Sequence, residues 1–209
     1  MKMNLPNKLS VLRLIMVPIF MVVMLLPAFC DFSATADMAL NIVGVLLFIA
    51  ASFTDMLDGK IARKYNLITD FGKFLDPLAD KFMVIGAMLC IFYVNSVAGN
   101  KNLATLYIFA LIVVVFRELA VTSIRLVASS SGGVVIAANM LGKLKTVTQI
   151  VAVCAAIIEP VIYSAVGAEG WVTSFPPITF VTTVAMIYLT IHSGINYIAG
   201  AWKYLDPEK

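Results

Sequence analysis

Cysteine and histidine are scarce in this chain: it has three cysteines, Cys30, Cys90 and Cys154, and one histidine, His192. The cysteines lie far apart, on or beside different apolar runs, with no C-x-x-C pair. They encode neither a disulfide framework nor a thiolate metal site and read as packing residues. The lone histidine reads as a packing or interface residue, not a ligand. Charge is scarce too. Charged residues make up 13% of the chain and hydrophobic ones 61%, whereas an ordinary soluble domain is only about half apolar. The chain is therefore a multi-span membrane protein, and where its charges sit says more than their net of +3. No internal repeat or second domain is visible, so residues 1–209 read as one domain.

Six apolar segments, near 9–29, 38–57, 76–97, 103–128, 143–166 and 176–199, are each long enough to cross a hydrocarbon core that takes about 20 helical residues. The expected fold is an all-α integral membrane protein with six transmembrane helices, preceded by a short N-terminal interfacial segment. Lys2, Lys8 and Arg13 before an apolar run mimic a secretory signal, but the run from Leu14 to Phe29 is long for one and reads as an uncleaved first helix. Of fifteen Lys and Arg residues, only Lys101 falls on the side reached by the first, third and fifth segments. The positive-inside rule then puts both termini and the second and fourth connections in the cytoplasm, with Asp31, Asp37, Glu159 and Glu169 outside. Trp171, Trp202 and Tyr197 suit the aromatic belts at the two surfaces.

The densest chemistry joins the second and third segments. Asp55, Asp58, Asp76 and Asp80 are spaced by three, eighteen and four positions, so on two helices each pair lies about one turn apart on a shared face. Antiparallel helices would turn all four carboxylates toward one another. An aspartate in mid-membrane costs about 2.5–3.5 kcal/mol, and like charges held close cannot all stay ionised unless something neutralises them. Divalent cations are the natural remedy. An all-oxygen set without His or Cys selects hard ions such as Mg²⁺, Mn²⁺ or Ca²⁺ rather than zinc.

Asp55, Asp58, Gly59, Ala62, Arg63, Gly72, Asp76 and Asp80 match every fixed position of D-x2-D-G-x2-A-R-x8-G-x3-D-x3-D. In this the chain resembles the CDP-alcohol phosphatidyltransferases, which move a phosphatidyl group from a CDP-linked lipid to an alcohol and release CMP. The resemblance implies two divalent ions, Mg²⁺ or Mn²⁺, on Asp55, Asp58, Asp76 and Asp80, with Asp80 also the general base. It implies CDP-diacylglycerol contacts from Gly59, Arg63 and Thr69, and from Asn7 in the run Pro6-Asn7-Lys8-Leu9-Ser10-Val11-Leu12-Arg13, which is similar to one beside the nucleotide site in related synthases. Ala62 and Gly72 read as close-packing positions. For Arg13, snorkelling to the headgroups is the competing reading.

The fourth segment carries Arg117, Glu118 and Arg125 in an otherwise apolar run, and charges at such depth line a cavity or have partners. Arg117 and Arg125 differ by about 80° around a helix, near enough to border one broad pocket. Lys143 and Lys145 point about 200° apart, so geometry favours one of them at a common site, and both could simply meet lipid headgroups. Arg-Glu-x-Ala-Val-Thr-x-x-Arg-Leu followed by Leu-Gly-Lys-x-Lys-Thr looks like the phosphatidylglycerophosphate synthases within the family. That likeness implies glycerol 3-phosphate as acceptor, its phosphate held by Arg117, Arg125, Lys143 and Lys145. It also implies a homodimer in a bacterial cell membrane. Inositol phosphate, or phosphatidylglycerol as in cardiolipin synthesis, would need related pockets. Outside enzymes, the acidic cluster would suit a divalent-cation transporter, although no ionisable path continues through the outer halves of the helices.

Overall fold

The structure is a computed structural model that describes residues 4–65, 67, 69–130 and 140–202, apart from the side chains of Arg63 and of 128–130. Among the described residues it is helical throughout, with α1 Leu5–Phe29, α2 Ala34–Lys64, α3 Asp70–Val97, α4 Lys101–Ser130, α5 Met140–Val166, a single turn α6 Trp171–Ser174, and α7 Pro177–Ala201. Six of these helices are long and apolar enough to cross a membrane.

The helix starts follow local chemistry. Asn4 caps α1 by accepting the Asn7 N–H at 3.1 Å, with Pro6 in the first turn, where its missing N–H costs nothing. Residues 5–13, expected as an interfacial segment, are therefore the opening turns of α1, with no break before the span. Thr69 caps α3 by accepting the Gly72 N–H at 3.0 Å, so the helix begins there, with Asp76 and Pro77 inside it. Helix α2 has 31 residues, about 46 Å at 1.5 Å per residue, well beyond an apolar core of about 30 Å. Its last turns, with Asp55 and Asp58, thus reach the polar edge.

The helices close into a ring in which α1 packs on α2 and α3, α3 on α4, α4 on α7, α7 on α5 and α5 back on α2, while α3 also meets α5 across the middle. Phe20, Phe48, Met83, Met88, Tyr107 and Met186 fill the centre. Hydrophobicity does not drive helices together in lipid, so close packing and interhelical hydrogen bonds hold the ring. Tyr107 Oη donates to the Ala152 carbonyl at 3.0 Å and accepts from Thr183 Oγ1 at 3.3 Å, tying α4, α5 and α7.

Glu159 was expected in an outer connection. It lies instead within α5, 3% exposed, and its carboxylate accepts the N–H groups of Ile178 at 3.0 Å and Thr179 at 2.6 Å and the Tyr163 hydroxyl at 2.7 Å. The unpaired amides at the start of α7 draw it inward. Gly167 and Gly170, with φ of 65° and 90°, make the reversal between α5 and α6 in a region other residues avoid.

Candidate active site

The end of α2 and the start of α3 carry the four aspartates, and α1 lies against both. Asn7, Ser10 and Arg13 recur every three residues, share one face of α1, and are all buried. Arg13 is fully enclosed. Its Nη2 donates to Asp58 Oδ2, and its Nη1 stands 2.6 Å from Asp55 Oδ1 as an ion pair whose angle is not that of a hydrogen bond. The Ser10 hydroxyl reaches Asp76 Oδ1 at 2.5 Å and Asp58 Oδ2 at 3.4 Å. One arginine and one serine thus connect three of the four acids.

Asp80 is the exception. Among the described residues no donor or cation pairs with its carboxylate, which faces a cavity of about 470 Å³ together with Asp55 and Asp76. Lys81, Arg117, Glu118, Thr122, Arg125 and Thr146 line the same cavity. The acids of α2 and α3 and the cations of α3 and α4 therefore share one opening.

The cationic wall has its own pairing. Glu118 Oε1 accepts from Arg117 Nη1 at 2.9 Å and from Lys145 Nζ. Neither Lys143 nor Lys145, both expected at the acceptor, lines this cavity: Lys145 is buried behind Glu118 and borders a smaller cavity, whereas Lys143 is exposed, as their angular separation requires. Arg125 sits over the Tyr197 ring at 5.8 Å, with Nε 3.4 Å from its hydroxyl.

Asn7 and Thr69, both expected at the nucleotide, meet between α1 and the start of α3 and are not among the residues lining the cavity. Thr69 Oγ1 donates to Asn7 Oδ1 at 2.9 Å while accepting from Gly72 N. A Cβ on Gly72 would come 3.0 Å from Asn7 Oδ1 and 3.3 Å from Thr69 Oγ1, which explains the glycine by close approach. Asn4 Nδ2 donates to the Leu67 carbonyl at 2.9 Å, fastening α1 to the α2–α3 connection. Gly59 lies half-buried beside Asp58 in α2; the side chain of Arg63 is outside the described residues.

Among the described residues, no three carboxylate, thiol or imidazole side chains converge closely enough to hold one ion, and Arg13 and Ser10 lie between the carboxylates instead. The donors still fit a hard cation, being all oxygen. Arg13 balances one of the four negative charges, and Asp76 and Asp80 face the cavity without a cation of their own.

Several residues of this site carried no assignment in the sequence reading. Ser10 sits in the quoted N-terminal run, and its spacing from Asn7 and Arg13 was the available signal. Lys81, Thr122 and Thr146 gave none, because a lysine or threonine near a helix end is ordinarily interfacial. Gln149, 1% exposed with its Nε2 unpartnered, borders a small cavity with Asp80, Lys81, Glu118 and Lys145.

Residues 3–204 match the sequence model of the CDP-alcohol phosphatidyltransferases. A Bacillus subtilis protein named CDP-diacylglycerol–glycerol-3-phosphate 3-phosphatidyltransferase is 41% identical over 97% of this chain and 97% of its own length. Proteins of the same name from Rickettsia felis and Wigglesworthia glossinidia brevipalpis are 31% and 37% identical, the first over 96% of this chain and 97% of its own length, the second over 73% and 76%. With Asp55, Asp76 and Asp80 of the signature lining one cavity, and with likeness running through nearly the whole length, the chain belongs to the CDP-alcohol phosphatidyltransferase family.

Proposed function

We propose that this protein transfers the phosphatidyl group of CDP-diacylglycerol to sn-glycerol 3-phosphate, giving phosphatidylglycerophosphate and CMP. The observation that carries the reading is the shared cavity, lined by Asp55, Asp76 and Asp80 and also by Lys81, Arg117 and Arg125. A liponucleotide diphosphate and a phosphorylated acceptor are both anionic, and each finds a suitable surface. The names of the bacterial relatives support the same acceptor.

In the reaction the acceptor hydroxyl oxygen bonds to the phosphatidyl phosphorus, the bond from that phosphorus to the CMP oxygen breaks, and the hydroxyl proton goes to Asp80. An unpaired carboxylate facing the cavity is suited to take it. Asp55, Asp58, Asp76 and Asp80 would hold Mg²⁺ or Mn²⁺, which when bound shield the diphosphate and stabilise the leaving oxygen. Arg13 and Ser10 keep the carboxylates in place, while Asn7, Gly59, Arg63 and Thr69 border the nucleotide. Arg117 and Arg125 face the acceptor, Lys145 works through Glu118, and Lys143 lies outside the cavity.

The charge bias of the ends supports a cytoplasmic site in a bacterial cell membrane, and the chain acts as one domain, paired in a homodimer as in related synthases. Purified protein in vesicles, given labelled glycerol 3-phosphate, CDP-diacylglycerol and Mg²⁺, tests the reading. Release of CMP that depends on glycerol 3-phosphate supports it. Preference for inositol phosphate or phosphatidylglycerol changes the acceptor, and cation flux without CMP release rejects the enzyme. Turnover that survives thorough chelation rejects the metal assignment.

A further inference from the structure

The four cations first assigned to the acceptor are not equally free. Arg117 and Lys145 both bind Glu118, which neutralises much of what they offer an incoming anion. Lys143 does not line the cavity. Arg125 and Lys81 line it and, among the described residues, pair with no carboxylate. Lys81 Nζ instead donates to Thr122 Oγ1 at 2.5 Å, crossing from α3 to α4, and Thr122 Oγ1 in turn donates to the Glu118 carbonyl at 2.7 Å. Thr122 and Arg125 are three residues apart on α4, near one face, and the Arg125 guanidinium rests over the Tyr197 ring with only that neutral hydroxyl as partner among the described residues, so both cations meet the cavity at the same stretch of α4.

We propose that Lys81 and Arg125 together form the seat for a phosphomonoester, that of the acceptor, and that Arg117 and Lys145 mainly hold Glu118 and the wall behind it. This rests on the reaction proposed above. A neutral hydroxyl is the weakest partner an ammonium can keep next to an open cavity, and a phosphate oxygen displaces it readily. Lys81 follows Asp80 directly in sequence, so one half of the seat and the proposed base are carried by the same turn of α3, which fixes their spacing. An inner-leaflet headgroup offers the same phosphate chemistry, and the test separates the two sources.

Lys81→Ala, Lys81→Arg and Thr122→Val are compared with wild type in phosphatidylcholine vesicles with and without phosphatidylglycerol. The KM for glycerol 3-phosphate rises about tenfold or more in Lys81→Ala, as expected for a lost charged hydrogen bond, while that for CDP-diacylglycerol stays within about twofold. Lys81→Arg recovers most of the loss, and Thr122→Val, which keeps the ammonium, has little effect. An unchanged KM, an equal rise in both KM values, an effect confined to anionic vesicles, or a Thr122→Val variant as impaired as Lys81→Ala each overturns the seat. Equilibrium dialysis with labelled glycerol 3-phosphate reads it without turnover. An inactive wild type whose binding needs Lys81 overturns the reaction and keeps the seat; an active wild type indifferent to Lys81 does the reverse.

Discussion

Arg13 and Asp58 form a buried ion pair that joins the early turns of α1 to the last turns of α2, with Arg13 fully enclosed and Asp58 3% exposed. A charge so placed is tolerable only while its partner remains. The pair thus makes the N-terminal turns part of the acidic cluster.

Replacing Arg13 by Met leaves Asp58 without its counter-charge. A broken buried pair costs about 3–5 kcal/mol, so thermal unfolding in detergent is expected to show a large loss. Asp58→Asn added to Arg13→Met recovers part of the stability but no activity. A stable single variant would mean that the pair is dispensable.

Asp80→Asn removes the proposed proton acceptor from a position where no donor among the described residues pairs with it. CMP release is expected to fall by about a hundredfold or more, with the unfolding temperature unchanged or raised. Retained turnover would move the base elsewhere.

Gly72→Ala puts a methyl group 3.0 Å from Asn7 Oδ1, where either α1 or Thr69 has to shift. Crowding of this kind costs about 1–3 kcal/mol. Because the disturbed contact lies at the proposed nucleotide rim, the KM for CDP-diacylglycerol should rise more than that for glycerol 3-phosphate. Kinetics with each substrate varied in turn decide it.

Glu159→Ala strips the start of α7 of the acceptor for two amides. A lost cap costs about 0.5–2 kcal/mol, and thermal unfolding should report that order of loss. Glu159 lies fourteen residues along α5 from Lys145, about 21 Å of helix, so both KM values should hold. A selective change in either would tie this end of the bundle to the chemistry.

The membrane class, the six spans and the acidic pairs were legible in the sequence because each is a one-dimensional property. A run of apolar residues long enough to cross lipid has few alternatives, and carboxylates three or four residues apart on a helix must share a face. The split between Lys143 and Lys145 follows from an equally local rule. Arg13 shows where that legibility ends. Snorkelling and burial agree equally well with a basic residue near a helix end, and only the packing of α1 against α2 and α3 turns it onto Asp55 and Asp58.

What the sequence determined by itself was therefore the set of helices and the residues each one carries, since helical periodicity and membrane thickness leave little choice. Which faces meet was decided by the tertiary structure. It enclosed Arg13, turned Glu159 inward onto the amides of α7, bound Glu118 to both Arg117 and Lys145, and brought Lys81 and Arg125 to one cavity. Partners in a bundle are chosen by packing between helices distant in sequence, and no spacing along one helix records that choice.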